Sequence, residues 1–262
     1  MQKRHTDRKQ YFTELAQTCE KYFLPFIENY IQVTPELNVL EIGCGEGGNL
    51  LPFSKRGCKV TGIDISAVRI EEAKQFFQEE GVSGNFLCQD IFTVEVNDKF
   101  DIIIIHDVIE HVMRKKELLT IAATLSNDNG LIYVGFPPWQ MPFGGHQQIC
   151  NNRILSSLPF IHLLPKKAYR KFLENVGENW RTVSELVEIK ECRITIEHLK
   201  KLVKELNLTQ VDERYYFINP HYESKFGLKP RKTISFFSAI PFLRNFFTTS
   251  YFAILKNKNS DQ

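Results

Sequence analysis

The sequence has no closely spaced cysteines. Its six, Cys19, Cys44, Cys58, Cys88, Cys150 and Cys192, include no Cys-x-x-Cys pair, which removes the spacing of metal knuckles and thioredoxin-like redox motifs. Scattered thiols in a chain of this size fit the reduced, mostly buried cysteines of a cytosolic protein. A long hydrophobic run is also missing. The longest aliphatic stretch, residues 102–105, falls far short of the ~20 residues that a membrane-spanning helix needs. Residues 1–10 are charged and contain no apolar core of a secretory signal. Neither charge sign dominates: 33 Lys and Arg against 31 Asp and Glu give a formal net charge of +2, without the basic surplus of a general nucleic-acid binder. Tryptophan is scarce at 2, whereas phenylalanine reaches 21, and eight of those follow Val211. With 262 residues, 43% of them apolar and 24% charged, the composition is globular and long enough for one domain with an insertion. The expectation is a soluble, cytoplasmic protein.

Apolar residues recur at helical spacing from Phe12 and Leu15 through Phe26 and Ile27, with an interruption expected near Pro25. The period then changes. Strands are expected at residues 38–42, 59–65, 85–88, 100–105 and 131–135, with helices at 48–54, 68–80 and 115–124 between them. The fourth run is continuously apolar, as in a strand buried on both faces. Strands alternating with helices imply βαβ units and a parallel sheet, and right-handed crossovers then give a doubly wound, Rossmann-like α/β fold. The alternation stops at Phe136. A Pro- and Gly-rich loop at 137–145 leads into a mainly helical stretch, clearest at 184–189 and 196–206, and two late strands are expected at 210–218 and 248–255. The reading is a mostly parallel seven-stranded sheet whose last strand is antiparallel. It divides into a helical cap (1–33), a cofactor-binding core (34–136), a loop and helical insertion acting as an acceptor lid (137–206), and strands completing the sheet (207–262).

The chemistry concentrates where the first strand ends, at Val39-Leu40-Glu41-Ile42-Gly43-Cys44-Gly45-Glu46-Gly47-Gly48. Glycines let the backbone turn tightly and approach a ligand, and the following helix start offers free N–H groups to an anion. Asp64 closes the second strand, where a carboxylate can accept from ribose hydroxyls. Together these indicate a cofactor containing a nucleoside. Gly43, Gly45 and Gly48 also satisfy Gly-x-Gly-x-x-Gly, so a dinucleotide such as NAD is a competing reading.

The residues resemble class I S-adenosylmethionine (SAM) dependent methyltransferases. Glu41-x-Gly43-x-Gly45-x-Gly47 is similar to their first motif, Gly62-Ile63-Asp64-Ile65-Ser66 to the second and Cys88-Gln89-Asp90-Ile91-Phe92 to the third. Residues 100–105 followed by His106-Asp107-Val108-Ile109-Glu110-His111-Val112 resemble the fourth, in the form seen in ubiquinone-biosynthesis-type (methyltransferase type 11/23) O-methyltransferases. Gly130-Leu131-Ile132-Tyr133-Val134 fits the fifth strand. The resemblance implies a cofactor site of Glu41, Gly43, Cys44, Gly45, Gly47, Asp64, Ile65, Asp90, Ile91 and His106. In it the glycine loop passes under the methionine part of SAM and Asp64 holds both ribose hydroxyls. Ile65 and Ile91 would sandwich the adenine, Asp90 would accept from its amine, and His106 would lie beside the methionine. Neither Asp90 nor the motif after strand four is explained by a nicotinamide enzyme.

Asp107, Glu110 and His111 follow strand four, close to where the transferred methyl would sit. They can orient the loop. His111 can act as a general base on an acceptor hydroxyl. The three can also hold a divalent cation such as Mg²⁺ that polarises an acceptor oxygen; some relatives use a similar Glu-x-x-Glu-His pattern in this way. After strand five, Trp139, Phe143 and His146 either line an acceptor pocket, with His146 as alternative base or metal ligand, or pack the loop while His146 caps the next helix. The stretch at 225–247 mixes Lys and Arg with phenylalanine. It fits a peripheral membrane contact less well than phenylalanines filling the acceptor pocket or a homodimer interface. The combined expectation is methyl transfer from SAM to a small, apolar acceptor, at oxygen, with no nucleic-acid partner. A SAM-binding sensor or inactive homologue is the alternative.

Overall fold

In the computed structural model, which describes residues 7–258, the chain builds one sheet of eight strands among the described residues. These are β1 (Asn38–Ile42), β2 (Lys59–Asp64), β3 (Asn85–Cys88), β4 (Phe100–His106), β5 (Ser126–Phe136), β6 (Leu208–Ile218), β7 (Arg231–Lys232) and β8 (Ser250–Asn257). Their order is β3-β2-β1-β4-β5-β8-β6-β7. The first five are parallel to one another, and β8 runs antiparallel to both β5 and β6. The doubly wound α/β expectation and the antiparallel last strand are therefore observed. The eighth strand is the two-residue β7 on the edge of β6, paired through Tyr216 with Lys232 and Ile218 with Arg231. Two residues are too few to leave a period-2 signal in the sequence.

Side-chain alternation along β4 sets the two core layers. Ile102 and Ile104 enter one apolar cluster with Phe12, Phe23 and Tyr133, and Ile103 and Ile105 enter the other with Leu40, Ile42 and Val134. All four isoleucines are fully buried, each contributing about 1.5–3 kcal/mol. Such a strand can be continuously apolar only because helices cover both faces. The first face is covered by α1 (Arg8–Thr18), α2 (Leu24–Ile27), α3 (Leu51–Lys55) and α4 (Ala67–Glu79), and the second by α5 (Lys115–Leu125) and, further along the chain, by α9 (Ile196–Glu205). The interruption expected near Pro25 is a π-helical turn, Cys19–Phe23, closed by the Leu24 N–H donating to the Cys19 carbonyl. Proline lacks the N–H that would continue the α pattern.

The insertion comprises α6 (Arg153–Ser157), α7 (Lys166–Asn175) and α8 (Trp180–Cys192), with its own small core of Leu155, Tyr169, Leu173, Val183 and Leu186. Two short helices, α10 (His221–Phe226) and α11 (Ser235–Ala239), complete the C-terminal part. The expectation that its phenylalanines are packed away fails for most of them. Phe252 is buried, but Phe217, Phe226, Phe236, Phe242 and Phe246 are exposed. No helix among the described residues is long and apolar enough to cross a membrane.

Candidate active site

The glycine loop takes its shape from its neighbours. Gly43, Gly45 and Gly47 have φ of 72°, 51° and 77°, a region that L side chains rarely adopt. A Cβ on Gly43 would also collide with Val108, and one on Gly48 would lie 2.7 Å from both the Phe12 carbonyl and Leu15 Cβ of α1. The loop is pinned from below by Asp64: Oδ2 accepts from the Gly45 N–H at 2.9 Å and Oδ1 from the Ser66 N–H at 2.8 Å. Asp64 thus has a loop-fixing role that sequence reasoning missed, and each oxygen keeps a lone pair for a ligand.

Beneath the loop, Glu41 accepts from Asn49 Nδ2 at 2.7 Å through Oε1, while buried Oε2 has no partner. Burial raises its pKa to about 8, with the Asn49 bond opposing and the Asp64 charge adding. On the loop's outer side Glu46, itself buried, ion-pairs with Arg8 of α1 and lies 3.9 Å from Arg69 Nε. Ile65 is 76% exposed beside Ser66, and Ile91 is buried at 9%, so the two expected adenine neighbours differ sharply in accessibility. Asp90 Oδ1 accepts from the Phe92 N–H at 3.0 Å, and its carbonyl accepts from Thr93 and Val94. The third motif is therefore a side-chain-capped turn.

His106 ends β4 in an aromatic nest. Its ring lies 4.4 Å from that of Phe23, and its Nδ1 is 3.3 Å from the Tyr133 hydroxyl. Burial lowers its pKa, against the charge of Asp107, whose Oδ2 is 3.5 Å from Nε2. Tyr133 was missed, though a lone tyrosine inside the aliphatic fifth strand was a readable signal. Asp107 has φ +52° and donates its N–H to the Gly135 carbonyl at 2.9 Å, so this strained residue turns the chain out of the strand.

That turn presents Glu110 and His111 on the short 3-10 turn Ile109–His111. The loop after β5 brings His146 against them: the His111 and His146 rings meet edge to face with centroids 4.8 Å apart. One ligand atom from each of Glu110, His111 and His146 lies within 4.8 Å of the others. The expected set of Asp107, Glu110 and His111 is brought together only in part. Asp107, exposed on the strained turn, lies outside this grouping, and His146 is the third residue in it among the described residues. Both Glu110 oxygens are buried without a hydrogen-bond partner, and burial, then Asp107, push its pKa well up. His146 is held down to about 4 by burial and then by His111. His111 keeps solvent access, but the protein crowding it, opposed by Asp107, lowers its pKa too. The cluster thus offers two imidazoles whose protonation is disfavoured and a carboxyl group without a hydrogen-bond partner. It can accept a proton or ligate a cation.

Beside it, Trp139 is buried. It stands 4.7 Å from the His162 ring, its carbonyl bonds His162 Nε2 at 2.7 Å, and its N–H donates to the Ile194 carbonyl at 2.8 Å. His146, at φ +55°, precedes the next 3-10 turn but makes no side-chain cap. Phe143 is half-buried in the same loop. Lys115, unnoticed in the sequence, ties this region to the insertion by donating to the Val112 and Cys192 carbonyls.

Comparison with known proteins gives three findings. Residues 39–130 match the family model described as a methyltransferase domain. A ubiquinone biosynthesis O-methyltransferase of Rhodopseudomonas palustris (strain HaA2) is 35% identical over 98 residues, 37% of this chain and 39% of that protein. The chain therefore spans about two fifths of the length of the curated relatives it matches. Among solved structures, a S-adenosylmethionine-dependent methyltransferase from Clostridium acetobutylicum ATCC 824 superposes with a TM-score of 0.56 at 13% identity, covering 94% of this chain and 92% of that one. Magnesium protoporphyrin IX methyltransferase from Synechocystis PCC 6803, with bound SAH (S-adenosylhomocysteine), gives 0.55 at 15% identity, covering 93% and 83%. At such identities these two likenesses establish the fold.

Proposed function

We propose that this chain, whose residues 39–130 carry a methyltransferase domain, transfers the methyl group of SAM to a hydroxyl oxygen of a small, apolar acceptor. The observation that carries the reading is the position of the Glu110–His111–His146 cluster. It follows β4 and β5, at the same carboxyl edge of the sheet as the glycine loop and Asp64, where open α/β sheets bind ligands. The matched domain and the O-methyltransferase relatives support the same reaction.

In this reading the glycine loop and the helix start behind it receive the methionine part, and Asp64 accepts from the ribose hydroxyls. Asp90, Ile65 and Ile91 receive the adenine, with His106 beside the methionine. The acceptor oxygen attacks the methyl carbon in line as the carbon–sulfur bond breaks, leaving S-adenosylhomocysteine, and the hydroxyl proton passes to His146 or His111. The protein around them lowers the pKa of both imidazoles, His146 to about 4, which favours the unprotonated form that a base needs. Orientation and exclusion of water supply much of the rate. Helical segment 137–206 forms the lid over the acceptor. Two imidazoles and a partnerless carboxyl group also fit a divalent cation, with nitrogen-rich ligation better suited to a transition metal than to Mg²⁺. When bound, it would lower the pKa of the acceptor hydroxyl.

The test is incubation of the protein with methyl-tritiated SAM and a lipid-soluble metabolite extract. The expected result is S-adenosylhomocysteine together with label in an organic-soluble ether. S-adenosylhomocysteine formation no higher than without extract, from protein that binds the cofactor, would make the chain a SAM-binding protein without turnover.

A further inference from the structure

We propose that the C-terminal face built from residues 217–246 docks on an anionic lipid bilayer. Charge is the first observation. From residue 224 to residue 258 the chain carries seven Lys or Arg and no Asp or Glu, although the whole chain nets only +2. The rest of the chain therefore nets negative, and this segment is a stretch of one charge sign that a negative surface attracts. Lys229, Arg231 and Lys232 are exposed, and among the described residues none has a carboxylate within ion-pairing distance.

The second observation is how the apolar side chains are presented. Ile234, Phe236 and Phe242 are 67–68% exposed, yet the turn that carries them is fastened at both ends. The Thr233 N–H donates to the Tyr215 carbonyl at 2.8 Å, and its hydroxyl donates to the Phe247 carbonyl at 2.8 Å. At the far end half-buried Glu197 Oε1 accepts from the Phe242 N–H at 2.9 Å and from Arg244 Nε at 2.7 Å, while Oε2 accepts from Asn245. Inside the turn Phe237 stacks on Phe247 with centroids 4.1 Å apart. Holding large apolar groups in water on a fastened turn costs stability. A bilayer interface removes that cost, taking the rings into the acyl boundary while the neighbouring cations meet headgroups.

A second copy is a poorer occupant. A two-fold dimer sets the same patch against itself, opposing unpaired like charges, and the five-residue α11 offers little length for helix packing. The apolar face also continues toward the candidate site. Phe246 lies 6.4 Å from Phe160 of the insertion, whose N–H donates to the Pro142 carbonyl at 2.8 Å in the loop that carries His146. Docking would bring that loop close to dissolved apolar molecules in the membrane.

The test is co-sedimentation of the full chain with vesicles of phosphatidylcholine alone or mixed with phosphatidylglycerol, at about 0.15 M salt. SAM and acceptor are omitted, so the result is independent of methyl transfer. The expected result is pelleting with the anionic vesicles only. Partitioning should fall roughly fivefold for each cation removed, about a hundredfold for Lys229→Gln with Arg231→Gln and Lys232→Gln. Phe236→Ser with Phe242→Ser should abolish pelleting with all charges intact. Both variants replace exposed side chains and should keep the wild-type melting temperature. Protein left in the supernatant with anionic vesicles would overturn the proposal, as would variants that pellet like wild type. Self-association abolished by the phenylalanine variant, without vesicle binding, would assign the face to a second copy.

Discussion

His146 stands edge-on to His111, with ring centroids 4.8 Å apart and planes at 89°, although the two come from loops after different strands. With Glu110 beside them, they form a cluster whose carboxyl oxygens are buried and partnerless. Such a group costs stability unless a ligand satisfies it, which is why the reacting groups are proposed to lie here.

Replacing a cluster member should separate chemistry from cofactor binding. Glu110→Gln and His146→Ala are expected to lower kcat by about 10²-fold or more and to change S-adenosylhomocysteine affinity by no more than a few fold. Calorimetry beside a turnover assay checks both. Loss of cofactor affinity equal to the loss of rate would mean that the cluster only shapes the cofactor site.

The acid limb of activity follows from the imidazoles. A base must be unprotonated, and burial holds His146 down to about 4. Activity should therefore persist below the ordinary imidazole range and fall only as the pH drops toward that value. A kcat/KM profile with its acid limb at or above 6.5, the unperturbed value, would exclude His146 as the base.

Added Mn²⁺ or Zn²⁺ should raise the melting temperature of the wild type but not of Glu110→Gln. A ligand at 100 times its Kd adds about 2.7 kcal/mol to stability. An equal shift in both proteins would place the cation elsewhere.

Glu41 gives a prediction about stability. Its folded pKa is raised from 4.5 to about 8, so the folded state holds a proton that the unfolded chain releases. The stability this contributes is fully present below about 4.5 and is lost as the pH rises toward 8. Glu41→Gln keeps an acceptor for Asn49 and cannot ionise. Denaturant titrations should show the variant gaining on the wild type by a few kcal/mol between pH 5 and pH 8.5. Parallel profiles would contradict the assignment.

Much of this was legible in the sequence because burial on both faces writes itself as an unbroken apolar run. Strands β1 and β3 fall at the expected residues, and β4 exceeds its run only by His106. Strand β5 begins at Ser126, which pairs with Phe100, earlier than expected: Asn127, Asp128 and Asn129, polar residues of turn-forming type, fall in the register shift before Leu131 pairs with Ile102 and carry no strand signal. The glycine loop was legible through its positive φ requirement. What joins His146 to Glu110, Tyr133 to His106 or Glu46 to Arg8 is tertiary proximity, which leaves no local pattern. The phenylalanine excess was visible as a number, but Phe252 inside the sheet and Phe236 in solvent carry the same letter, and only packing separates them.

The central claim is that the loop from Gly43 to Gly47, pinned by Asp64, binds the adenosyl cofactor of methyl transfer. Calorimetry with S-adenosylhomocysteine and, separately, NAD on the wild type and on Asp64→Ala tests it most directly. The account predicts saturable S-adenosylhomocysteine binding that Asp64→Ala abolishes, and no heat with NAD. Tight NAD binding without S-adenosylhomocysteine binding would contradict it.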